Sequence, residues 1–263
     1  LGEVENMNYL LKKSKSKWFT WLADDDFLNK NFLKDLYNSL NLHKNKKVIA
    51  VYSNYRRVTN NKLKKINVKV DPILYNKENF IEDYCSQKIR LIGVYGLINS
   101  KILKIIQKKK KLGKSILIDG KPSGVHAYTD TMLPIRLSEY GNIIWIDKKL
   151  VNLDLRYNAI SKKTLDYKSY FSSQKDAFDI LINIVEKIKI QKIQLKIYKS
   201  FFEKILFNKV DLLFRQKLLN KLNILLIFFI YSISLLKNLE FKKKLVLIRP
   251  IIKYLILILF TKK

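Results

Sequence analysis

Cysteine and histidine are almost absent from this chain of 263 residues. Cys85 is the only cysteine, which excludes an internal disulfide and a cysteine-based metal cluster. A lone cysteine also fits a reducing, cytoplasmic setting. His43 and His126 are the only histidines, so the composition argues against a zinc site built from several histidines. A metal site in this chain is therefore expected to rely on oxygen ligands.

Acidic residues are scarce as well. The chain has 52 Lys+Arg against 22 Asp+Glu, a formal net charge of +30. Such an excess favours anionic partners, namely phosphate groups, nucleic acid or an acidic lipid surface. A second explanation is compositional drift, because Lys, Asn and Ile are abundant throughout, as an AT-rich genome tends to produce. Both explanations remain open at this point.

Glycine is missing from about residue 162 onward, and Pro250 is the only proline there. Apolar residues at helical spacing dominate this region. Two apolar stretches, 222–236 and 245–260, are shorter than the roughly 20 residues that cross a bilayer comfortably. With lysines around them, they predict in-plane helices or a re-entrant hairpin at the cytoplasmic face of the membrane. The alternative is a buried helical pair in a soluble domain.

The first part of the chain has the pattern of an α/β fold. An apolar, aromatic run at 18–23 predicts a strand, helical spacing follows from Phe32 to Leu40, and 48–52 predicts a second strand. Further along, the pattern predicts a helix over 131–140 and two short strands, 142–146 and 150–155. No signal peptide or signal anchor is expected near Leu1.

Three consecutive carboxylates, Asp24, Asp25 and Asp26, follow the first predicted strand. Carboxylates gathered at a strand end can hold a hard divalent cation, Mg²⁺ or Mn²⁺, which prefers oxygen ligands. In an α/β layout this is also where ligands usually bind. A simpler alternative is that one of the three caps the following helix.

These residues carry a resemblance to a known family. The segment Trp-Leu-Ala-Asp-Asp-Asp-Phe-Leu, 21–28, resembles the DXD-type segment of family 2 glycosyltransferases, which have the GT-A fold. The similarity continues in order through four later segments and covers roughly residues 1–161. The segments are Val51-Tyr52-Ser53 with the 57–66 hairpin, the glycine-containing strand and helix at 93–103, Asp130 followed by Leu133, Leu137 and Gly141, and 150–161 with Arg156.

The resemblance implies roles for individual residues. Asp24, Asp25 and Asp26 would bind the metal and the donor diphosphate, with Asp25 as a direct ligand. Asp130 would be the general base; its alternative role is to cap the helix that follows it. Arg156 would contact the diphosphate, with a surface ion pair as the alternative.

Two departures from the family pattern affect what the resemblance implies. Asn158 stands where family members often carry a histidine, and His126 is a candidate substitute for it. Family members also begin with a nucleoside-binding strand, helix and strand, whereas about 23 residues precede Asp24 here. An N-terminally truncated, inactive fragment is therefore an alternative. Trp145 and Tyr128 could stack on acceptor sugars or pack in the core.

The sequence thus predicts a partial, Rossmann-like GT-A nucleotide-diphospho-sugar transferase domain at 1–161, a helical extension at 162–215, and hydrophobic membrane-associating helices at 216–263. The implied function is inverting, divalent-metal-dependent sugar transfer. The donor would be a nucleotide sugar, and the acceptor a surface glycan or a polyprenyl-phosphate-linked glycan. Nucleic acid is not an expected partner. One alternative is a non-enzymatic basic module that binds membrane or nucleic acid. Another is a phosphoryl or nucleotidyl transferase, although the sequence has no Gly-rich phosphate loop.

Overall fold

The computed structural model describes residues 3–23, 26–58, 71–108, 117–118, 121–122, 129–154, 167–215, 229, 232–233, 235–236 and 239–260. The chain divides into two units. The first unit comprises 1–112 and 123–163, and the second comprises 113–122 and 164–263. The finer domain limits expected from the sequence stay a prediction.

Helices and strands alternate in the first unit. Its helices are α1 (Glu3–Lys13), α2 (Phe32–Leu42), α3 (Lys77–Cys85), α4 (Ser100–Lys108) and α5 (Thr129–Leu137). Its strands are β1 (Trp18–Phe19), β2 (Phe27–Leu28), β3 (Val48–Val58), β4 (Ile73–Tyr75), β5 (Gly96–Asn99) and β8 (Asn142–Asp154). The second unit holds a hairpin of β6 (Leu117–Ile118) and β7 (Lys121–Pro122), followed by α6 (Tyr167–Val185), α7 (Gln191–Arg215) and α8 (Phe241–Phe260).

The first unit is built on a mixed sheet with the strand order β1-β5-β3-β8-β2, and β4 also pairs with β8. The central pair, β3 and β8, is parallel and sets Tyr52 opposite Trp145. The other pairings of this sheet are antiparallel. Ile49, Ala50, Val51 and Tyr52 of β3 are all buried, as expected for a continuous apolar run in a central strand. The α/β class expected from the sequence is therefore confirmed at the level of a mixed α/β fold.

One part of the core of the first unit lies between α2 and the sheet. Phe32 and Leu36, one helical turn apart, are almost completely buried and pack with Val51, Ile144 and Ile146. At the edge of this contact Lys148 Nζ lies 2.6 Å from Asp35 Oδ2, which joins β8 to α2. This packing fixes α2 against the sheet shortly after Asp26 and β2.

Three boundaries predicted from the sequence are wrong. The two short strands expected at 142–146 and 150–155 are one strand, β8, because it pairs with β3 throughout and absorbs the interruption as register shifts opposite Asn54. The strand expected at 18–23 spans only 18–19. The helix expected at 131–140 begins at Thr129 and ends at Leu137.

The described part of the second unit is helical apart from the short hairpin. Aromatic side chains form its core, with the ring of Phe178 in α6 6.3 Å from Phe201 and 5.7 Å from Phe202 of α7. The second apolar stretch of the sequence lies within α8, which contains Pro250. Among the described residues, no helix combines the length and the apolar character that a membrane span requires. The first apolar stretch, 222–236, lies mostly outside the described residues.

Candidate functional site

Asp26 is the one member of the acidic triplet that the structure describes; Asp24 and Asp25 lie outside the described residues. Asp26 is half-buried and directly precedes β2. The chain after it is tied to β8, because Phe27 pairs with Asn152 and Asn29 N–H donates to the Leu150 carbonyl over 2.8 Å. The end of the acidic triplet is therefore anchored to the central sheet.

A buried tyrosine holds the Asp26 carboxylate. Tyr95 is 5% exposed, and its hydroxyl donates a hydrogen bond to Asp26 Oδ2. Tyr95 closes a turn in the Leu91–Tyr95 loop, in which its N–H donates to the Ile92 carbonyl over 3.0 Å. A carboxylate fixed by a hydrogen bond from the surrounding shell is the usual arrangement for a metal-binding carboxylate. Asp26 thus offers one supported oxygen ligand of the kind that a hard cation prefers.

Asp130 contacts the same loop from the other side. A Cβ atom built on Gly93 would lie 1.7 Å from the Asp130 carbonyl oxygen and 2.7 Å from Pro134 Cδ. Pro134 has no N–H to donate to the carbonyl four residues earlier, which is that of Asp130. Glycine at 93 therefore lets the loop approach this carbonyl more closely than any other residue could.

Two further tyrosines fix the loop and the start of α5. The hydroxyl of Tyr52, which is fully buried, donates to the Gly93 carbonyl over 3.0 Å. Tyr84 of α3 forms a side-chain hydrogen bond with Thr131. Burial raises the pKa of Tyr84 well above its ordinary value, and the negative charge of Asp130 raises it further. Burial alone raises the pKa of Tyr52. Both phenols are therefore neutral hydrogen-bonding groups at neutral pH.

The Leu91–Tyr95 loop therefore contacts the Asp26 carboxylate through the Tyr95 hydroxyl and the Asp130 main-chain carbonyl through Gly93. Gly93 and Tyr95 are two residues apart, so their Cα atoms lie within about 7 Å of each other. Asp26 is half-buried, Asp130 is exposed, and Asp130 Oδ1 accepts the Thr131 N–H over 2.8 Å. Because α5 begins at Thr129, Asp130 lies inside its first turn and is not the N-cap that was its alternative role. Its exposed carboxylate can also meet a bound hydroxyl.

Several other candidate residues fall outside the described residues, namely Arg156, Asn158, His126 and Tyr128. Trp145 is 6% exposed, and its indole N–H donates to the Arg90 carbonyl over 3.1 Å. Trp145 is therefore a core residue of β8, which was one of the two roles weighed for it. The role of Arg156 stays a prediction.

The structure adds residues that the motif did not indicate. Asn152, 1% exposed, donates to the Phe27 carbonyl over 3.1 Å and accepts a hydrogen bond from Arg56 Nε. Arg56 thereby brings a guanidinium close to the segment that follows Asp26. The signal for Asn152 and Arg56 was a polar residue within each long strand, and the signal for Tyr95 was its place between Gly93 and Gly96.

The metal site itself stays a prediction. Within the described part of the chain, no three or more His, Cys, Asp or Glu residues are grouped as a cation site requires. Two of the three expected ligands, Asp24 and Asp25, are not among those residues. Comparison of the chain with known protein families and with curated proteins found no match.

Proposed function

We propose that the chain is a divalent-metal-dependent, inverting glycosyltransferase with a GT-A fold. The donor is a nucleotide sugar, and the acceptor is a lipid-linked or surface glycan at the cytoplasmic face of the membrane. One observation carries the proposal: the Leu91–Tyr95 loop contacts Asp26 through Tyr95 and Asp130 through Gly93. The loop thus touches the carboxylate of Asp26, which suits a cation, and the main chain of Asp130, whose side chain suits a base.

In this proposal the acidic triplet holds Mg²⁺ or Mn²⁺. Asp24 and Asp25 would supply ligands, and Asp26 would join them in the orientation that Tyr95 gives it. When bound, the cation neutralises charge on the leaving nucleoside diphosphate. Arg56, linked to the triplet through Asn152 and Phe27, adds positive charge at the same edge. Arg156 is the second cation proposed for the diphosphate.

Asp130 is the proposed general base. Its carboxylate takes the proton of the acceptor hydroxyl while the hydroxyl oxygen bonds to the anomeric carbon. The bond from that carbon to the diphosphate oxygen breaks on the opposite face, which inverts the anomeric centre and releases the nucleoside diphosphate. The Thr131 N–H bond holds Oδ1, and the Gly93 contact fixes the main chain of Asp130. Precise placement of a base matters because a misplacement of about 1 Å can cost about 100-fold in rate.

Product analysis tests this proposal. The full chain is incubated with Mn²⁺, a panel of nucleotide sugars and a membrane lipid extract, and the products are separated by mass spectrometry. We expect a new glycoside together with free nucleoside diphosphate. Asp130→Asn is expected to abolish the glycoside while donor binding is retained. Asp71→Asn, a change at an exposed acid just before β4, serves as the matched control with unchanged turnover.

Two results would contradict the proposal. A nucleotidylated product with release of a sugar phosphate would indicate a nucleotidyl transferase that uses similar carboxylates. Metal-dependent donor turnover that survives Asp130→Asn unchanged would remove Asp130 from the role of base.

A further inference from the structure

Helix α8 has two apolar faces, and only one of them is packed. Leu247, Ile251 and Tyr254 are at most 7% exposed and form the buried face. On the other side Leu245, Ile248, Ile252 and Ile256 are 52%, 41%, 50% and 50% exposed. At about 100° per residue these four side chains fall within an arc of about 80°. We call this set the α8 stripe.

The α8 stripe has positive charge beside it and no acidic residue anywhere in its helix. From Phe241 to Phe260 the sequence contains four lysines, one arginine and no Asp or Glu. Arg249 and Lys253 are exposed and follow the stripe along one flank, and half-buried Lys244 lies on the other. An exposed apolar stripe between cationic side chains has the composition of a helix that lies in a membrane interface.

One lysine of the helix has a different role. Lys243 is 6% exposed, its Nζ lies 3.2 Å from Glu186 Oε1, and it stands 5.6 Å from the ring of Tyr198. These contacts anchor the start of α8 to the C-terminal end of α6 and to α7. The face that packs inward is therefore fixed, which leaves the α8 stripe turned to the outside of the second unit.

We propose that the α8 stripe docks the second unit onto an anionic lipid surface, with α8 parallel to the membrane plane. Leu245, Ile248, Ile252 and Ile256 enter the boundary between headgroups and acyl chains, while Arg249 and Lys253 contact lipid phosphates. Charge complementarity favours a lipid surface over a second copy of the chain as the partner of the α8 stripe. A second copy of this chain, itself at +30, would oppose cations to cations, whereas an anionic bilayer offers both apolar depth and negative charge.

This inference deepens the proposed membrane location and does not require sugar transfer. Docking through α8 would hold the protein against the surface where a lipid-linked acceptor lies. Because vesicle binding is measured without a nucleotide sugar, its failure would leave the proposed chemistry untouched. Conversely, a chain that binds vesicles but transfers no sugar would contradict only the proposed enzyme activity.

Flotation with vesicles tests the docking surface, using the full chain and either pure phosphatidylcholine or a mixture with phosphatidylglycerol. The parent chain is expected to bind the anionic vesicles in preference to the neutral ones. Arg249→Gln with Lys253→Gln should weaken anionic binding about 30-fold, from about fivefold for each charge. The matched control, Lys44→Gln with Lys46→Gln, removes the same charge from an exposed turn after α2 and should change binding less than threefold.

The apolar half of the surface is tested separately. Ile248→Ser with Ile252→Ser should weaken binding to anionic vesicles at least tenfold. Leu33→Ser with Leu42→Ser, at positions 56% and 72% exposed on α2, is the matched control and should bind like the parent. Parent-like binding by the stripe variant would overturn the proposal. So would a parent dimer that the stripe variant dissociates, because the stripe would then be an interface between copies.

A labelling measurement keeps the test valid if the stripe variant folds poorly. Cys85 is 3% exposed, so a cysteine introduced at Ile252 can be labelled selectively with an environment-sensitive dye. The dye at 252 should shift to the blue on anionic vesicles and be quenched by lipids brominated on the acyl chain. The same dye at Leu42, which is 72% exposed on α2, should show neither change. Equal responses at the two positions would contradict docking through α8.

Discussion

Replacing Gly93 with alanine should damage the candidate site more than the rest of the fold. The new Cβ would lie 1.7 Å from the Asp130 carbonyl oxygen, and real contacts of this kind stay beyond 3.0 Å. The loop and the start of α5 must therefore separate by more than 1 Å. Overpacking of this kind costs about 1–3 kcal/mol in the free energy of unfolding. The same displacement of Asp130 is expected to lower the turnover number about 100-fold.

Gly141→Ala is the matched control for this change. Its Cβ would lie 2.5 Å from the Lys47 carbonyl oxygen, so it also forces backbone apart, but at the start of β8. We expect it to lower the free energy of unfolding, measured in urea, by an amount similar to Gly93→Ala. Amide hydrogen exchange separates the two variants. Only Gly93→Ala should accelerate exchange in the first turn of α5.

A Gly93→Ala protein that keeps parental stability within about 0.5 kcal/mol and parental protection of the Thr131 amide would contradict this expectation. Such a result would mean that the loop and α5 can move apart without cost. The close contact at Gly93 would then carry no information about the position of Asp130.

Three other predictions follow from the same contacts. Tyr95→Phe removes the hydrogen bond to Asp26 and should weaken Mn²⁺ binding about 10- to 100-fold, as measured by calorimetry. Asn152→Leu removes the buried amide that donates to the Phe27 carbonyl and accepts from Arg56 Nε, and should lower the free energy of unfolding by about 1–3 kcal/mol. The pKa of Tyr84 is raised in the folded state. Its contribution to the free energy of unfolding is therefore complete below the ordinary pKa of 10.0 and is lost as the pH rises from there towards the folded value. Tyr84→Phe should therefore reduce the loss of unfolding free energy above pH 10 by about 1.4 kcal/mol per pH unit.

Each of these predictions has a result that contradicts it. Tyr52→Phe removes a buried hydroxyl that bonds Gly93 instead of Asp26, so equal effects of Tyr52→Phe and Tyr95→Phe on Mn²⁺ affinity would deny Tyr95 its specific role. Unchanged urea unfolding of Asn152→Leu would mean that water replaces the amide. Parallel pH profiles of the parent and Tyr84→Phe above pH 10 would show that Tyr84 is not held neutral by burial.

Local patterns in the sequence predicted the elements that local forces determine. The helical spacing of Phe32 and Leu36 predicted α2, and the apolar run at 48–52 predicted the first part of β3. The length of β8 could not be predicted, because residues 147–149 are polar and stay in the strand through pairing with β3. Strand pairing over such a distance in the chain leaves no local trace in the sequence.

The candidate site was predicted in part. The run of acids drew attention to Asp26, and the resemblance drew attention to Asp130. The contacts at Gly93 and Tyr95 could not be predicted. A tyrosine or glycine in an apolar segment gives the same sequence pattern whether it packs in the core or contacts an aspartate. Gly93 contacts the start of α5, and Tyr95 contacts the residue before β2; both elements lie far from them in sequence.

Paramagnetic broadening by Mn²⁺ tests whether the acidic triplet and Asp130 belong to one site. Titrated into the full, isotope-labelled chain, Mn²⁺ should broaden the amide signals of Tyr95, Gly93 and Thr131 together, and joint replacement of Asp24, Asp25 and Asp26 by Asn should abolish the effect. Asp130→Asn should leave the broadening in place, because that carboxylate is assigned to the base and not to the metal. Broadening that persists without the three aspartates, or that spares Gly93 and Thr131, would contradict a single site shared by the acidic triplet and Asp130.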